Sequence, residues 1–450
     1  MSRKIYLKRG LDIRLKGEAE KVYSSVKSSE LYEVRPTDFH GLIPKLNVKV
    51  GDKVLAGSSL FFDKYNDRVS FSSPVSGEIL DIVRGAKRKI LKIIIKANKN
   101  IEYKDFSKSL SDDMSREMII ESMCKAGLWP FIRQKPYDVI ANPSDLPKSI
   151  FISSFSSAPI SIDNDFALYE KHESFQFGLD IISKLSNGKT HLNINGYSNP
   201  SDVFVNAKNV QINKIFGAHP SGNVGVQIHH IDSINKNDVV WYLNPQDVLT
   251  IANFFKTGKY DASRIIAVTG SQVKRPQYYR TIAGTSVFNF IENNLKDDKS
   301  RIISGDVLTG TKINENDGLG FYDYQLSIIP EGDNPEFLGW ISPGLDKFSV
   351  SRTFFSWMNP TGKYEINANL HGEERAYVVT GQYEKVLPMD IFPVHLIKAI
   401  MIEDIELMEN LGIYEVSPGD FALCEFVCTS KINVQEIIRH GLDLIRKENS

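Results

Sequence analysis

The sequence predicts an α/β multidomain fold, and three observations carry that prediction. Residues 1–100 are rich in Val, Ile and turn glycines, the mark of short strands joined by tight turns. Residues 140–270 alternate short apolar runs with stripes at helical spacing, as a parallel sheet flanked by helices requires. Residues 337–450 become rich in helical patterns. With 450 residues, 42% hydrophobic and 24% charged, the chain is long enough for two to four domains.

The charge balance excludes more than it assigns. Lys+Arg 54 against Asp+Glu 55 leaves a net charge of −1, without the basic excess of a nucleic-acid binder. Three cysteines cannot build a disulfide framework, so a reducing compartment is expected. The opening MSRKIYLKRG is basic but is followed by no apolar core, unlike a secretory signal. The apolar stretch 391–402 contains Pro393, His395 and Lys398 and falls short of the about 20 residues that cross a bilayer.

In chain order, segments 46–64 and 69–95 read as strands broken at Gly51-Asp52, Ala56-Gly57 and Ser76-Gly77. The phrase VKVGDKVLAG…SPVSGEI resembles the barrel-sandwich fold of biotinyl and lipoyl carrier domains, in which a lysine at a hairpin tip bears the cofactor. Lys64 stands near that position, but Asp63 and Tyr65 flank it and the spacing to Ser73-Pro74 is longer. A structural barrel with a solvated Lys64 is therefore expected, and a modified Lys64 is the alternative. Met114, Met118, Ile119 and Met123 lie near helical spacing before Gly127 and Pro130, a linker helix whose Met stripe reads as core.

The region up to residue 262 predicts a strand at 149–154, a helix through Phe175, Leu179, Ile182 and Leu185, and strands at 191–197, 210–217 and 239–243. A helix opened by Asn244-Pro245 follows, with Val248, Ile251, Ala252 and Phe255 on one face and Gly258 as its stop. This repetition implies a Rossmann-like domain. Next, 264–270 is a buried strand and 278–295 an extended segment running into a helix. Phe288, Ile291 and Leu295 share a face of that helix, Ser286 is its cap, and Asn293-Asn294 lie near its end. With strands at 300–313 and beyond, the pattern is β-grasp-like. The last helix begins at Asn433 with Glu436 as a capping box, burying Val434, Ile437, Ile438 and Ile445. The expected division is a barrel-sandwich domain over 1–100, a linker helix and Rossmann-like domain over 101–262, a β-grasp domain over 263–336 and a helical C-terminal domain over 337–450.

Candidate sites are few. The loop GAHPSGNVG at 217–225 follows a strand and offers Gly217, His219, Gly222 and Gly225 as a ligand or interface loop. It is not a P-loop, because Asn223-Val224 stand where Lys and Ser/Thr are needed. His219, His229 and His230 invite a metal, but regular ligand spacing is lacking, and His229-His230 in a strand would face opposite ways. A structural or interface role is their expected part. Cys424 and Cys428 are four apart; with Cys124 they fall short of the four ligands of a cluster, so they read as buried thiols or a transient pair. Arg280 and Arg352 each lie among small or apolar neighbours and could pair with a carboxylate. No catalytic residue and no metal ligand is assigned.

The runs RIISGDVLTG, QLSIIPEG and FLGWISPGLDKFSVSRT, with LCEFVC at 423–428, resemble the A-subunit family of the sodium-translocating NADH:quinone oxidoreductase, and the likeness extends over nearly the whole chain. Thr429-Ser430 replace that family's Pro-Gly after the second cysteine, so the loop there is expected to differ. The resemblance implies a peripheral subunit on the cytoplasmic face of the bacterial inner membrane, with a role in assembly or at the quinone side. Its partners would be the B to F subunits, above all the membrane-embedded B-subunit. The complex would pass electrons from NADH to ubiquinone or another quinone and export Na+. FAD, FMN, riboflavin and iron–sulfur centres would lie on other subunits, with no cofactor in this chain. The related flavin subunit of respiratory complex I has a glycine-rich flavin loop that this sequence lacks. The alternatives are a stand-alone flavin- or nucleotide-binding oxidoreductase and a carrier protein with modified Lys64.

Overall fold

A computed structural model describes residues 2–26, 29–110, 114–333 and 336–449. Near the N-terminus two antiparallel sheets enclose one core. Leu31–Val34, Ile90–Ala97, Gly77–Arg84 and Lys53–Val54 form the first, and Pro44–Leu46, Ser59–Asp63 and Asn66–Ser72 the second. Alternation along these strands sends Phe61, Phe71, Ile79, Ile93 and Ile95 inward, and a register irregularity between Ser59 and Phe61 buries the neighbouring Leu60 as well, each almost fully. Phe61 and Phe71 stack with ring centroids 4.6 Å apart. Gly77 is required where two strands cross closely, since a Cβ there would lie 2.0 Å from the carbonyl oxygen of Lys96.

The first two strands of the chain do not join this barrel. Arg3–Tyr6 pairs in parallel with Gln211–Phe216, and Glu20–Ser24 pairs in parallel with Gln277–Ile282. An all-β pattern over residues 1–100 shows that strands form but carries no information about which edge each will extend.

The central sheet has seven strands in the order Arg3–Tyr6, Gln211–Phe216, Thr190–Asn195, Ser149–Ser153, Val240–Leu243, Arg133–Lys135 and Val139–Ile140. The first five are mutually parallel, Arg133–Lys135 pairs antiparallel with Val240–Leu243, and Val139–Ile140 pairs antiparallel with Arg133–Lys135. Helices His172–Ser183 and Pro245–Thr257 cover one face, where Ile150, Ile152, Leu192 and Ile194 meet Phe175, Leu179, Val248 and Ile251. Those helices cross closely at Gly178, whose Cβ would stand 2.5 Å from the Val248 carbonyl oxygen. The second helix starts as its sequence requires, with the Asn244–Asp247 capping box and Pro245 in its first turn. The other face receives helix Val224–Ile231 and, beyond it, the C-terminal helices Tyr383–Val386, Pro393–Met401, Ile405–Asn410, Ala422–Phe426 and Val434–Glu448, joined in a second core.

A six-stranded sheet completes the fold, ordered Thr311–Lys312, Ser300–Ser304, Gln325–Pro330, Ser263–Thr269, Gln277–Ile282 and Glu20–Ser24. Ile266, Val268, Phe290, Ile302, Leu326 and Ile328 form its core.

Four local expectations change. The helix through Phe288, Ile291 and Leu295 is a single turn, Phe288–Ile291. Asn293 at φ 58° turns the chain back, and Leu295 instead bridges to Val273. His229-His230 lie in helix Val224–Ile231, not in a strand. Asn433 caps the last helix without the predicted box; its amide donates to Glu436 Oε2 at 3.3 Å. Met118 lies 42% exposed outside the linker helix's buried stripe of Ile119, Ile120, Met123 and Cys124. In the first and last cases a sequence period matched the pattern while tertiary contacts chose the partners.

Candidate functional site

The glycine-rich loop leaves the carboxyl end of strand Gln211–Phe216 and feeds helix Val224–Ile231, so the residues 217–225 meet where three later parts of the chain converge. His219 is 2% exposed. Its backbone N–H donates to Asp12 Oδ1 at 2.9 Å. The Ser157 hydroxyl accepts from the Gly222 N–H at 2.8 Å and lies 3.0 Å from His219 Nδ1. His219 Nε2 has no hydrogen-bond partner among the described residues. Burial lowers the His219 pKa, opposed by the charges of Asp306, Asp12 and Asp420. Those carboxylates come from the six-stranded sheet, the N-terminal segment and the C-terminal helices, so His219 marks a junction of four chain regions.

The glycines fit this packing. A Cβ at Gly222 would lie 2.4 Å from the Ser157 nitrogen, and one at Gly225 would lie 2.1 Å from Asp420 Oδ2 and 2.2 Å from Lys135 Nζ. Gly217 opens the loop against Leu7, whose Cβ would be 2.8 Å away. Beneath Gly225, Lys135 and Asp420 pair at 2.7 Å with side chains only 1% and 2% exposed. Asp420 Oδ2 also accepts from Ser417 Oγ at 2.7 Å, and Lys135 Nζ donates to the Glu415 carbonyl at 3.2 Å. A pair this dry persists only when both charges keep such partners.

The remaining candidates are dispersed. His229 Nδ1 lies 2.7 Å from Glu415 Oε2 and its Nε2 accepts from the Asp390 N–H at 2.9 Å. His230 Nε2 donates to the Pro388 carbonyl at 2.6 Å. Both rings therefore tie helix Val224–Ile231 to the C-terminal helices. Among the described residues no three His, Cys, Asp or Glu side chains are grouped to hold a metal. Cys424 and Cys428 are free and buried, and burial pushes the Cys424 thiol far above its ordinary range. Arg280 stacks over the Tyr23 ring, 4.8 Å from its centroid, and Arg352 is exposed. Lys64 lies exposed at the tip of the hairpin joining Ser59–Asp63 to Asn66–Ser72, its ammonium 5.9 Å from the Tyr65 ring centroid.

One constellation was not singled out from the sequence. The face of the central sheet toward helix Val224–Ile231 carries buried and half-buried polar side chains in a continuous chain. Asn213 Nδ2 donates to Asn193 Oδ1 at 2.8 Å, Asn193 Nδ2 to Gln227 Oε1 at 2.8 Å, and Gln227 Nε2 to Ser153 Oγ at 2.9 Å. At the other end Asn213 Nδ2 lies 3.2 Å from His191 Nδ1, and His191 stacks on Phe151 with centroids 4.6 Å apart. The signal was present: HLNIN and QIN put polar residues at every second position of two strands. The chain ends in a cleft of about 410 Å³ at the amino ends of the strands.

Three family models match in chain order. They are the NqrA N-terminal barrel-sandwich hybrid domain over 5–98, the NqrA second alpha/beta domain over 114–260 and the NQRA C-terminal domain over 265–315. The first accords with the two enclosing antiparallel sheets. The A-subunit of the Na(+)-translocating NADH-quinone reductase of Rhodopirellula baltica is 35% identical, with 98% of each chain covered. Those of Pasteurella multocida and Neisseria meningitidis serogroup B are each 34% identical, covering 99% of this chain and all of theirs. A solved chain of an NAD+-reducing [NiFe]-hydrogenase in the H2-reduced state aligns over 74% of this chain and 61% of its own at 10% identity and a TM-score of 0.39, too slight a likeness to bear on the fold. With relatives at 35% identity matched from end to end and three domain models in register, the chain belongs to the family of Na(+)-translocating NADH-quinone reductase A-subunits.

Proposed function

We propose that this chain is a peripheral subunit of a membrane complex that oxidises NADH, reduces ubiquinone or another quinone and exports Na+. The observation that carries the reading is the end-to-end similarity to the A-subunits of such reductases. Attachment is through protein contacts with the other subunits, above all the membrane-embedded B-subunit, on the cytoplasmic face of the bacterial inner membrane. Among the described residues no helix is long and apolar enough to cross a membrane. The stretch between Phe337 and Met358 instead exposes Phe337 at 93%, Trp340 at 74% and Leu345 at 67%, with Trp357 and Met358 more than half exposed. Exposed aromatic side chains gathered in one segment fit a buried interface core.

The chain works in assembly or at the quinone side without a redox centre of its own; flavins and iron–sulfur centres belong to other subunits. Its three cysteines are fewer than a cluster's usual four ligands. The glycine loop does not favour the stand-alone nucleotide-binding alternative: Ser157, Asp420 and Lys135 already fill the space beside Gly222 and Gly225 that a phosphate would need. Five parallel strands with helices on both faces support the Rossmann-like reading of the middle region, and the small sheet with its one-turn helix supports the β-grasp reading. The sheets fit a division near residues 100, 262 and 336, with the first two strands given to later units.

Trp340→Ala/Trp357→Ala tests the attachment. Co-expressed with the other subunits, wild type sediments with membranes, and the variant shifts to the soluble fraction while keeping its thermal melt. Tight binding of the lone wild-type chain to protein-free liposomes at physiological salt would show that lipid, not protein, holds it.

A further inference from the structure

The cleft at the amino ends of the central strands lies at the end of the sheet opposite the glycine-rich loop. We propose that it binds a small hydroxylated anion, a phosphate or carboxylate that also carries a hydroxyl group. The volume, about 410 Å³, suits a small ligand. Its lining sets Arg3, Lys148 and Lys189 against one carboxylate, Asp232. Lys148 is held by Asp232 at 2.8 Å and Asp238 at 3.2 Å. Among the described residues Arg3 donates to neutral carbonyl oxygens, those of Ile231 at 3.3 Å and His230 at 3.4 Å, so the bonds that hold it in place leave its charge available. An anion beside Arg3 and Lys189 thus meets fixed positive charge.

The floor supplies the polar partners. Ser149, His191 and Asn213 line it and are 1%, 6% and 0% exposed. The Asn213 amide faces His191 Nδ1, so the neutral imidazole carries its proton on Nε2 as a donor. Asn213 Oδ1 is buried with no hydrogen-bond partner among the described residues. Asn213 lines the cleft while its Oδ1 is sealed from water, so a ligand hydroxyl reaches that acceptor only when the floor side chains shift, and it then supplies the donor the acceptor lacks. The rim reads the anion and Asn213 reads the hydroxyl.

Calorimetric titration of the full chain with sn-glycerol 3-phosphate, malate, inorganic phosphate and glycerol tests the site. Saturable binding of sn-glycerol 3-phosphate or malate is expected with a dissociation constant below about 1 mM, and whichever binds identifies the anionic group. Glycerol should not bind, and inorganic phosphate should bind several-fold more weakly than its glycerol ester. Raising the salt weakens binding. Lys189→Gln, a change at an exposed position, should weaken it about tenfold with the melt unchanged, and His191→Asn provides a second variant on the floor. No saturable binding of either hydroxylated anion up to about 10 mM overturns the proposal. So does binding that neither variant alters, and inorganic phosphate binding as tightly as its glycerol ester overturns the part given to Asn213.

Discussion

The two faces of the central sheet are built by opposite means. Toward helices His172–Ser183 and Pro245–Thr257 the strands present Ile150, Ile152, Leu192 and Ile194, all essentially buried in a hydrocarbon core. Toward helix Val224–Ile231 the same sheet mixes the apolar Phe151, Val240 and Tyr242 with the buried Ser149, His191, Asn193 and Asn213 and the half-buried Ser153, polar side chains held by hydrogen bonds. Burying each apolar side chain stabilises by about 1.5–3 kcal/mol. A satisfied internal hydrogen bond contributes only about 0.5–1.5 kcal/mol net, and an orphaned buried group costs more than that. The polar face is thus a poor device for stability and a good one for orientation: it holds an open cleft at one end and the close-packed glycine loop at the other.

The largest effect should come from the deepest charge on the polar side. Lys135→Met leaves Asp420 buried without its cation, and about 3–5 kcal/mol of stability should be lost. Urea unfolding measures it. A loss below about 1 kcal/mol would mean that water reaches the pair and that the junction is looser than Gly225 packing implies.

Adjacent positions on one strand give the sharpest contrast. Leu192→Ala on the apolar face should cost about 2–5 kcal/mol through lost burial and a cavity. Asn193→Ala on the polar face should cost about 1–3 kcal/mol by orphaning Gln227 and Asn213 groups. Equal losses would dissolve the distinction between the faces.

The smallest effect is a pH dependence. Burial pushes the His191 imidazole down to about 4 from an ordinary 6.5. Between those values the unfolded chain protonates this side chain and the folded chain does not, so unfolding takes up a proton. His191 is without penalty above pH 6.5 and costs stability progressively as pH falls toward about 4. Urea melts at neutral pH and near pH 5 should show wild type losing more stability than His191→Gln. Equal losses would place the imidazole in water and open the cleft floor to solvent.

Much of the fold was legible because it rests on local rules. Asn244-Pro245 opened a helix and Gly258, at φ 68°, closed it, as capping chemistry dictates. The strands at 149, 190, 211 and 240 lay where short apolar or extended runs put them. His229-His230 were misread because two adjacent residues carry no period, and a short helix with Gly225 near its start gives a weak helical signal. Of the candidate loop, residue types and position after a strand were visible. That Gly222 abuts Ser157 and Gly225 abuts Asp420 was not, because those contacts join positions 65 and 195 residues apart.

The sequence by itself determined the order of the elements, the barrel near the N-terminus, the parallel strands of the middle and the family, since propensity, turn chemistry and side-chain period act within a few residues. Tertiary structure alone decided where the edge strands Arg3–Tyr6 and Glu20–Ser24 would pair, that His219 would stand among carboxylates from three distant segments, and that the polar face would end in an anion-sized cleft. The reason is physical. A strand edge offers the same backbone donors and acceptors whatever its sequence, so pairing is settled by which buried faces can be closed together, and a cleft exists only as the space those closed faces leave between them.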